Sequence, residues 1–234
     1  MESAKSYQIL DGTVLKLIGM LSMLVDHVGD VFFPGLLWPR MVGRLAMPIF
    51  SFCIAEGCAH TRDKRGYLLR MGLFALVSEL PFDLAFDGAF GWGHQNIMLT
   101  FFLSILALLL FDRLRGGRDP ETGRYGAGRT ALALLPVAAA AVLATLLRAD
   151  YGLFAVIAVF LFYVLRGSRP ALRCGAGVGF LALTRTMGFY SATGLSFFPL
   201  VMYNGRKGRG LKWLFYLFYP GHLLLLWLLR SLLR

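Results

Sequence analysis

Residues 14–33 read VLKLIGMLSMLVDHVGDVFF, twenty positions of which only Lys16, Asp26, His27 and Asp30 are ionisable. A membrane-spanning helix needs about 20 mostly apolar residues. This stretch has that length, and it places two carboxylates and an imidazole where hydrocarbon would surround them. Working outward with the same ruler gives further candidate spans near 42–58, 67–86, 96–112, 129–148, 151–166, 171–187, 189–203 and 211–230. Breaks between them carry loop chemistry: Pro34-Gly35, the run His60 to Gly66, Gly91-Trp92-Gly93, and the polar stretch Arg113 to Gly128. No internal repeat and no second domain interrupts 1–234. The expected fold class is all-α, a single polytopic integral membrane helix bundle of about nine transmembrane helices, with eight or ten as alternatives.

Composition agrees. Of the 234 residues 57% are hydrophobic and only 16% charged, where soluble domains hold about 25% charged residues. Disorder is excluded by the same figures. The three cysteines, Cys53, Cys58 and Cys174, each sit in an apolar run, which excludes a secreted disulfide scaffold. In a soluble protein a net charge of +11 would suggest nucleic acid. Here basic loops that orient a membrane protein account for it, and no nucleic-acid partner is expected. With alternating spans, the even-numbered connections hold Arg62, Lys64, Arg65 and Arg70; then Arg113, Arg115, Arg118, Arg124 and Arg129; then Arg166, Arg169 and Arg173; then Arg206, Lys207, Arg209 and Lys212. Lys5 and Lys16 join that side, against Arg40, Arg44, Arg148, Arg185, Arg230 and Arg234 on the other. The amino terminus is therefore expected in the cytoplasm. No cleavable signal peptide is expected, because charged residues stand where a small-residue cleavage site would lie.

Ionisable groups inside a bilayer are costly and point to function. Lys16 and His27 are eleven residues apart, so three helical turns bring them to one face, about 16 Å apart along the axis. A long anionic ligand would reach from one to the other. Asp30, at i+3, is placed to bond His27, and Glu56, Glu79 or Asp150 from other spans are alternatives. Asp26 leaves the helix about 100° from His27 and needs its own partner, for which Arg44 is the expected one. Glu56 and His60 share a face, as do Glu79 and Asp83 around Pro81; Gln95, Asn96 and Thr100 open the fourth span; Tyr219 and His222 flank Pro220 in the last. Glu56-x-Cys58-x-His60 mimics a metal motif, but the two-residue steps turn Cys58 away, so no metal is expected. The turn Tyr203-Asn204-Gly205 with Arg206 and Lys207 reads equally as an orientation signal or a phosphate site.

Taken together these motifs resemble the TraX family, named for a conjugation-associated pilin N-acetyltransferase. The resemblance rests on Asp26-His27, the run Gly43 to Phe50, Glu56-Gly57 with Thr61-Arg62, Tyr67 to Arg70 and Ser78 to Asp83. It continues through Gln95-Asn96 with Thr100, Asp150-Tyr151-Gly152, Tyr203-Asn204-Gly205 and Phe215 to His222. The family looks like a branch of the transmembrane acyltransferases. The acyltransferase-3 type among them has an arginine followed by ten residues and a histidine; here Lys16 keeps the charge and spacing but loses the guanidinium fork.

The resemblance implies a bacterial inner-membrane enzyme moving an acetyl group from cytoplasmic acetyl-CoA to an amine or hydroxyl: a pilin amino terminus, glycan, lipid or small amine. His27 would be the general base, since an attacking amine or hydroxyl must shed a proton. Asp26, Asp30, Glu56 and Glu79 are the carboxylates available to support it. CoA phosphates suit Lys16 and the clusters Arg62 to Arg70 and Arg206-Lys207, with Arg44 and Asn204 as further donor-site candidates. Asn96, Gln95, Tyr219 and His222 are candidates for the oxyanion. A proton-coupled transporter or flippase using the same intramembrane groups, or an assembly factor for a surface structure, is the competing expectation.

Overall fold

The computed structural model describes residues 6–118, 125–184 and 188–233. Lys5, Arg124, Arg185 and Arg234, counted above for orientation, lie outside the described residues. Helix α1 (Gly12–Phe32) starts where the Asp11 carboxylate accepts from Thr13 N and Val14 N, both at 2.9 Å, satisfying two of the first-turn donors. It ends before Pro34-Gly35. The short α2 (Trp38–Gly43) has Pro39 in its first turn, and α3 (Ala46–His60) follows. Asp63 caps α4 (Lys64–Phe86), which contains Pro81; Asn96 caps α5 (Ile97–Arg115). Then come α6 (Ala127–Leu146), α7 (Gly152–Val164), α8 (Pro170–Thr184), a 3-10 helix Gly188–Ser196, α9 (Phe197–Val201) and α10 (Lys212–Leu232). Among the described residues the only β pairings are the isolated bridges Leu10–Tyr203 and Gln95–Ala149.

Contacts between the ends fix the direction of each leg. Lys16 lies over the Phe215 ring and His27 meets His222, so α1 and α10 run parallel. Arg230 donates to Ala85 O, which sets α4 parallel to both. Lys64 pairs with Asp112 and Asn96 N with Glu79, so α5 is antiparallel to α4. Gln95 bridges Ala149, and Tyr163 bonds Asp112, which send α6 up and α7 back. Arg173 reaches Phe162 O while Phe180 faces Phe154, so α8 opposes α7, and the chain returns through Gly188–Val201 to meet Leu10 at Tyr203. The described legs thus alternate as the spacing predicts, and the described basic connections gather at the end holding Lys16.

One expected span is corrected. Over 189–203 the chain forms no continuous α-helix but the 3-10 helix and the five-residue α9. Gly188 and Gly194 favour irregular backbone, and a 3-10 helix rises about 2.0 Å per residue, so a short segment still covers the distance. Among the described residues, four helical segments are long and apolar enough to cross a membrane: Trp38–His60, Ile97–Arg115, Ala127–Leu146 and Lys212–Leu232. Helices α1 and α4 carry the charges that the site below uses, and α7 and α8 are shorter apolar helices. The chain is an all-helical membrane protein.

Small residues set the closest packing, as is usual where helices associate in lipid. A Cβ on Gly29 would lie 2.4 Å from Pro39 Cβ, and one on Gly43 would lie 2.3 Å from Asp26 Cβ and Cγ. These two glycines let α2 lie against α1. The loop after α9 clasps the start of α1: Asn204 N donates to Leu10 O at 2.8 Å, Gly12 N to Arg206 O at 2.8 Å, and Thr13 Oγ1 to Arg209 O at 2.9 Å. Gly208, at φ +74°, passes so close to Asp11 that no side chain fits.

Candidate functional site: two cavities sharing an aromatic wall

The first cavity, of about 330 Å³, is walled by Asp26, His27, Asp30, Arg40, Arg44, His94, Asp150, Tyr151 and Tyr219 among apolar neighbours. Its histidine is held by a relay. His222 Nδ1 lies 2.7 Å from Phe218 O, which can only accept, so this nitrogen carries the hydrogen. In the neutral ring His222 Nε2 is then an acceptor, and it lies 2.8 Å from His27 Nδ1. His27 Nδ1–H donates to it, which leaves His27 Nε2 with its lone pair. The two rings stack at 5.0 Å, and Phe86 packs edge-on to His27 at 5.1 Å. No carboxylate takes part in this relay: the expected partner at Asp30 is replaced by a histidine from the far end of the chain.

The carboxylates are occupied elsewhere. Arg40 reaches Asp30 at 2.8 Å and Asp26 at 3.3 Å; the charge of the expected Arg44 also acts on Asp26, so the two arginines share this carboxylate. The close α1–α2 approach at Gly29 and Gly43 brings Arg40 beside both carboxylates. Arg44 lies just past the end of α2 and donates to Tyr151 Oη at 2.9 Å. It lines the His27 cavity, away from the basic cavity where donor phosphates were expected.

The second cavity, of about 380 Å³, lies toward the other end of α1 and is lined by Lys16, Cys53, Glu56, His60, Arg70, Tyr203, Lys207, Lys212, Phe215 and Tyr216 among others. Lys16 Nζ stands 4.9 Å over the Phe215 ring. Glu56 belongs here, not beside His27. Arg173 Nη2 holds it at 2.7 Å, and the guanidinium also donates to Phe162 O at 2.7 Å and covers the Phe52 ring. Arg70 leans on Asp63 at 3.3 Å; the Gly66 N–H, and then Arg70, hold the Asp63 carboxyl below the usual carboxylate range. Arg62 is exposed on the loop before α4, and Arg206 is exposed on the clasp.

Of the other expected site residues, Asn96, Glu79 and Asn204 are structural, and His222 positions His27. Asn96 donates from Nδ2 to Ala75 O and to Glu79, while its Oδ1 accepts from Met98 N at 2.9 Å. Its amide is spent capping α5 and tying it to α4, which removes both Asn96 and Glu79 from the His27 cavity. Asn204 Oδ1 accepts from Arg206 N at 2.9 Å and shapes the clasp. His222, expected at the oxyanion, has both nitrogens committed to the relay. Of the oxyanion candidates Tyr219 alone lines the cavity. Sequence reading missed Arg40 and Arg173 as pairing residues. Arg40 had a signal, Pro39 in the first turn of a helix beside the acidic face; Arg173 had one too, an arginine just inside the apolar run that follows Pro170.

The two cavities share Phe50 and Phe101 in their walls. A helical membrane protein with a basic cavity at one end, a histidine-bearing cavity toward the other and an aromatic wall between them is the class that fold and site define. The chain belongs to the TraX family: the family model described as TraX protein matches residues 11–230. It is 28% identical over 241 residues to a probable fimbrial assembly protein FimC, serogroup H1, of Dichelobacter nodosus, an alignment covering 91% of this chain and 92% of the relative. A 39-residue stretch is 41% identical to an uncharacterized protein of Rickettsia prowazekii (strain Madrid E), covering 17% of this chain and 16% of that one. No solved structure matches the chain.

Proposed function

We propose that this protein is an acyltransferase of the bacterial inner membrane, with its amino terminus in the cytoplasm, that moves an acetyl group from acetyl-CoA to an amine or hydroxyl. The observation that carries the reading is the relay Phe218 O–His222–His27, which leaves a base nitrogen, His27 Nε2, at the wall of a cavity abutting a cationic one. Orientation follows from the basic end of the bundle, which the positive-inside rule assigns to the cytoplasm.

The donor fits the basic cavity by its chemistry. Lys16, Arg70, Lys207 and Lys212 supply charge for phosphates, and the slender, partly apolar thioester arm suits the aromatic lining. The acceptor enters the His27 cavity. His27 Nε2 takes the proton as the acceptor nitrogen or oxygen attacks the thioester carbonyl; the carbon–sulfur bond breaks, and the CoA sulfur leaves and recovers a proton. Tyr219 and Arg44 are the donors available to the developing oxyanion. Asp26, Asp30 and Arg40 act as a pre-set charge cluster that fixes α1 against α2. The Dichelobacter relative is named for fimbrial assembly, and the pilin N-acetyltransferase for which the family is named makes a pilin amino terminus the first acceptor to try, alongside glycans, lipids and small amines.

His27→Ala is the test. Protein purified in detergent is expected to lose about 10²–10⁴ in acetyl transfer from radiolabelled acetyl-CoA. Donor binding should stay within a few-fold, since His27 is not in the basic cavity. Near-normal turnover in the folded variant would retire the mechanism. Proton movement without any acyl transfer by the native protein would favour a proton-coupled transporter instead.

A further inference from the structure

Along one face of α1, Lys16, Gly19, Met23 and His27 follow each other at helical spacing. Lys16 lines the basic cavity, while Met23 and His27 line the other. Gly19 lies between them, and opposite it sits Phe50 of α3. A Cβ on Gly19 would stand 3.1 Å from Phe50 Cζ and 3.2 Å from Cε2. The absent side chain is therefore what lets the ring lie against α1. Phe50 and the buried Phe101 of α5 face both cavities, so rings from α3 and α5 close the gap that α1 leaves at Gly19.

We propose that the Phe50 ring, seated on Gly19 between the two cavities, is the septum at which the donor's acyl group is presented, and that it limits this group to two carbons. The inference rests on the acyl-transfer reading above. The phosphates and thioester arm stay on the Lys16 side, and the acceptor is activated on the His27 side. The carbonyl carbon must therefore be reached at the septum. An acetyl methyl fits beside a fixed ring; each further methylene must displace Phe50 or Phe101. One methylene more or less in such a pocket discriminates about 10–200-fold. The septum also keeps water in the His27 cavity from the waiting thioester. With the ring removed, water becomes the acceptor: its oxygen bonds the carbonyl carbon, the carbon–sulfur bond breaks, and a carboxylic acid and free CoA thiol result.

The experiment uses the full chain in oriented proteoliposomes, as native protein, Phe50→Ala and the milder Phe50→Leu. Two readouts are taken. The first is the rate ratio of butyryl-CoA to acetyl-CoA, with hydrolysis counted separately. The second is modification of Cys53, which lines the basic cavity, by a membrane-impermeant methanethiosulfonate added from the His27-cavity face and located by mass spectrometry. Native protein is expected to resist labelling from that face and to prefer acetyl-CoA. Phe50→Ala should label at least tenfold faster and raise the butyryl ratio at least tenfold, with Phe50→Leu between. Unchanged labelling from that face in both folded variants, with Cys53 modified when the reagent is added from the Lys16 face, overturns the septum, and an unchanged butyryl ratio overturns the length limit. If native protein turns over neither donor, the acyl-transfer reading and the length limit fall together. Cys53 labelling still decides whether Phe50 separates the cavities.

Discussion

Replacing His222 by Phe removes the acceptor for His27 Nδ1–H while keeping a ring of similar size against Phe218 and Tyr219. The bond at issue is 2.8 Å long and lies beside a largely buried imidazole; His222 itself is 7% exposed. Leaving a buried donor unsatisfied costs about 1–3 kcal/mol, and each 1.4 kcal/mol is about a tenfold change in rate. If that cost falls on the reacting tautomer, turnover drops about 5- to 150-fold. A serine-protease histidine forced into the wrong tautomer loses about 10⁴, and the smaller figure applies here because Phe imposes no tautomer. His222→Gln should recover most of the loss, since its amide oxygen can accept the same hydrogen. Radiolabelled acetyl transfer in detergent gives the rate, and calorimetric titration with acetyl-CoA gives donor affinity. Affinity should hold within about threefold, as His222 lines neither cavity. Turnover within twofold of native in folded His222→Phe, or His222→Gln no better than His222→Phe, would refute the relay.

Two further outcomes follow from the geometry. Lys16→Glu should weaken acetyl-CoA binding by at least tenfold, because a charge-assisted bond of about 1.5–3 kcal/mol is replaced by repulsion, whereas Lys16→Arg should stay within a few-fold; calorimetry on the purified variants measures both. Gly43→Ala should destabilise the protein by about 1–3 kcal/mol, since its methyl would overlap Asp26, while Gly35→Ala, with open space around it, should leave thermal unfolding in detergent unchanged.

The sequence made the helices legible because hydropathy and loop chemistry are local. It also made legible the stripe from Lys16 to His27, which depends only on the 3.6-residue period of one helix. Pairing between helices was not legible. Asp30 at i+3 satisfied every local criterion for bonding His27, yet Arg40 claims it at 2.8 Å, and that depends on two glycines letting α2 close on α1. Glu56 and His27 both looked like intramembrane site residues, but α3 runs antiparallel to α1, which carries Glu56 toward the Lys16 end. Asn96 read as a polar cavity group and is a helix cap, a role that competes for the same side-chain atoms. The irregular leg over 188–201 has span-like composition, so hydropathy alone could not separate it from a regular helix.

The relay joins residues 195 positions apart, one on α1 and the other on α10. During synthesis the chain emerges from its amino-terminal end, and its early segments settle first. Until α10 has entered the membrane and lain down beside α1, His27 has no acceptor for its Nδ1–H, and Phe215 is not yet beneath Lys16. A ribosome-bound or truncated chain would thus carry every acidic and basic group of the early helices and still lack the histidine that orients His27. Arrival of α10 completes the relay, so that the orientation of His27 is acquired only at the end of biogenesis.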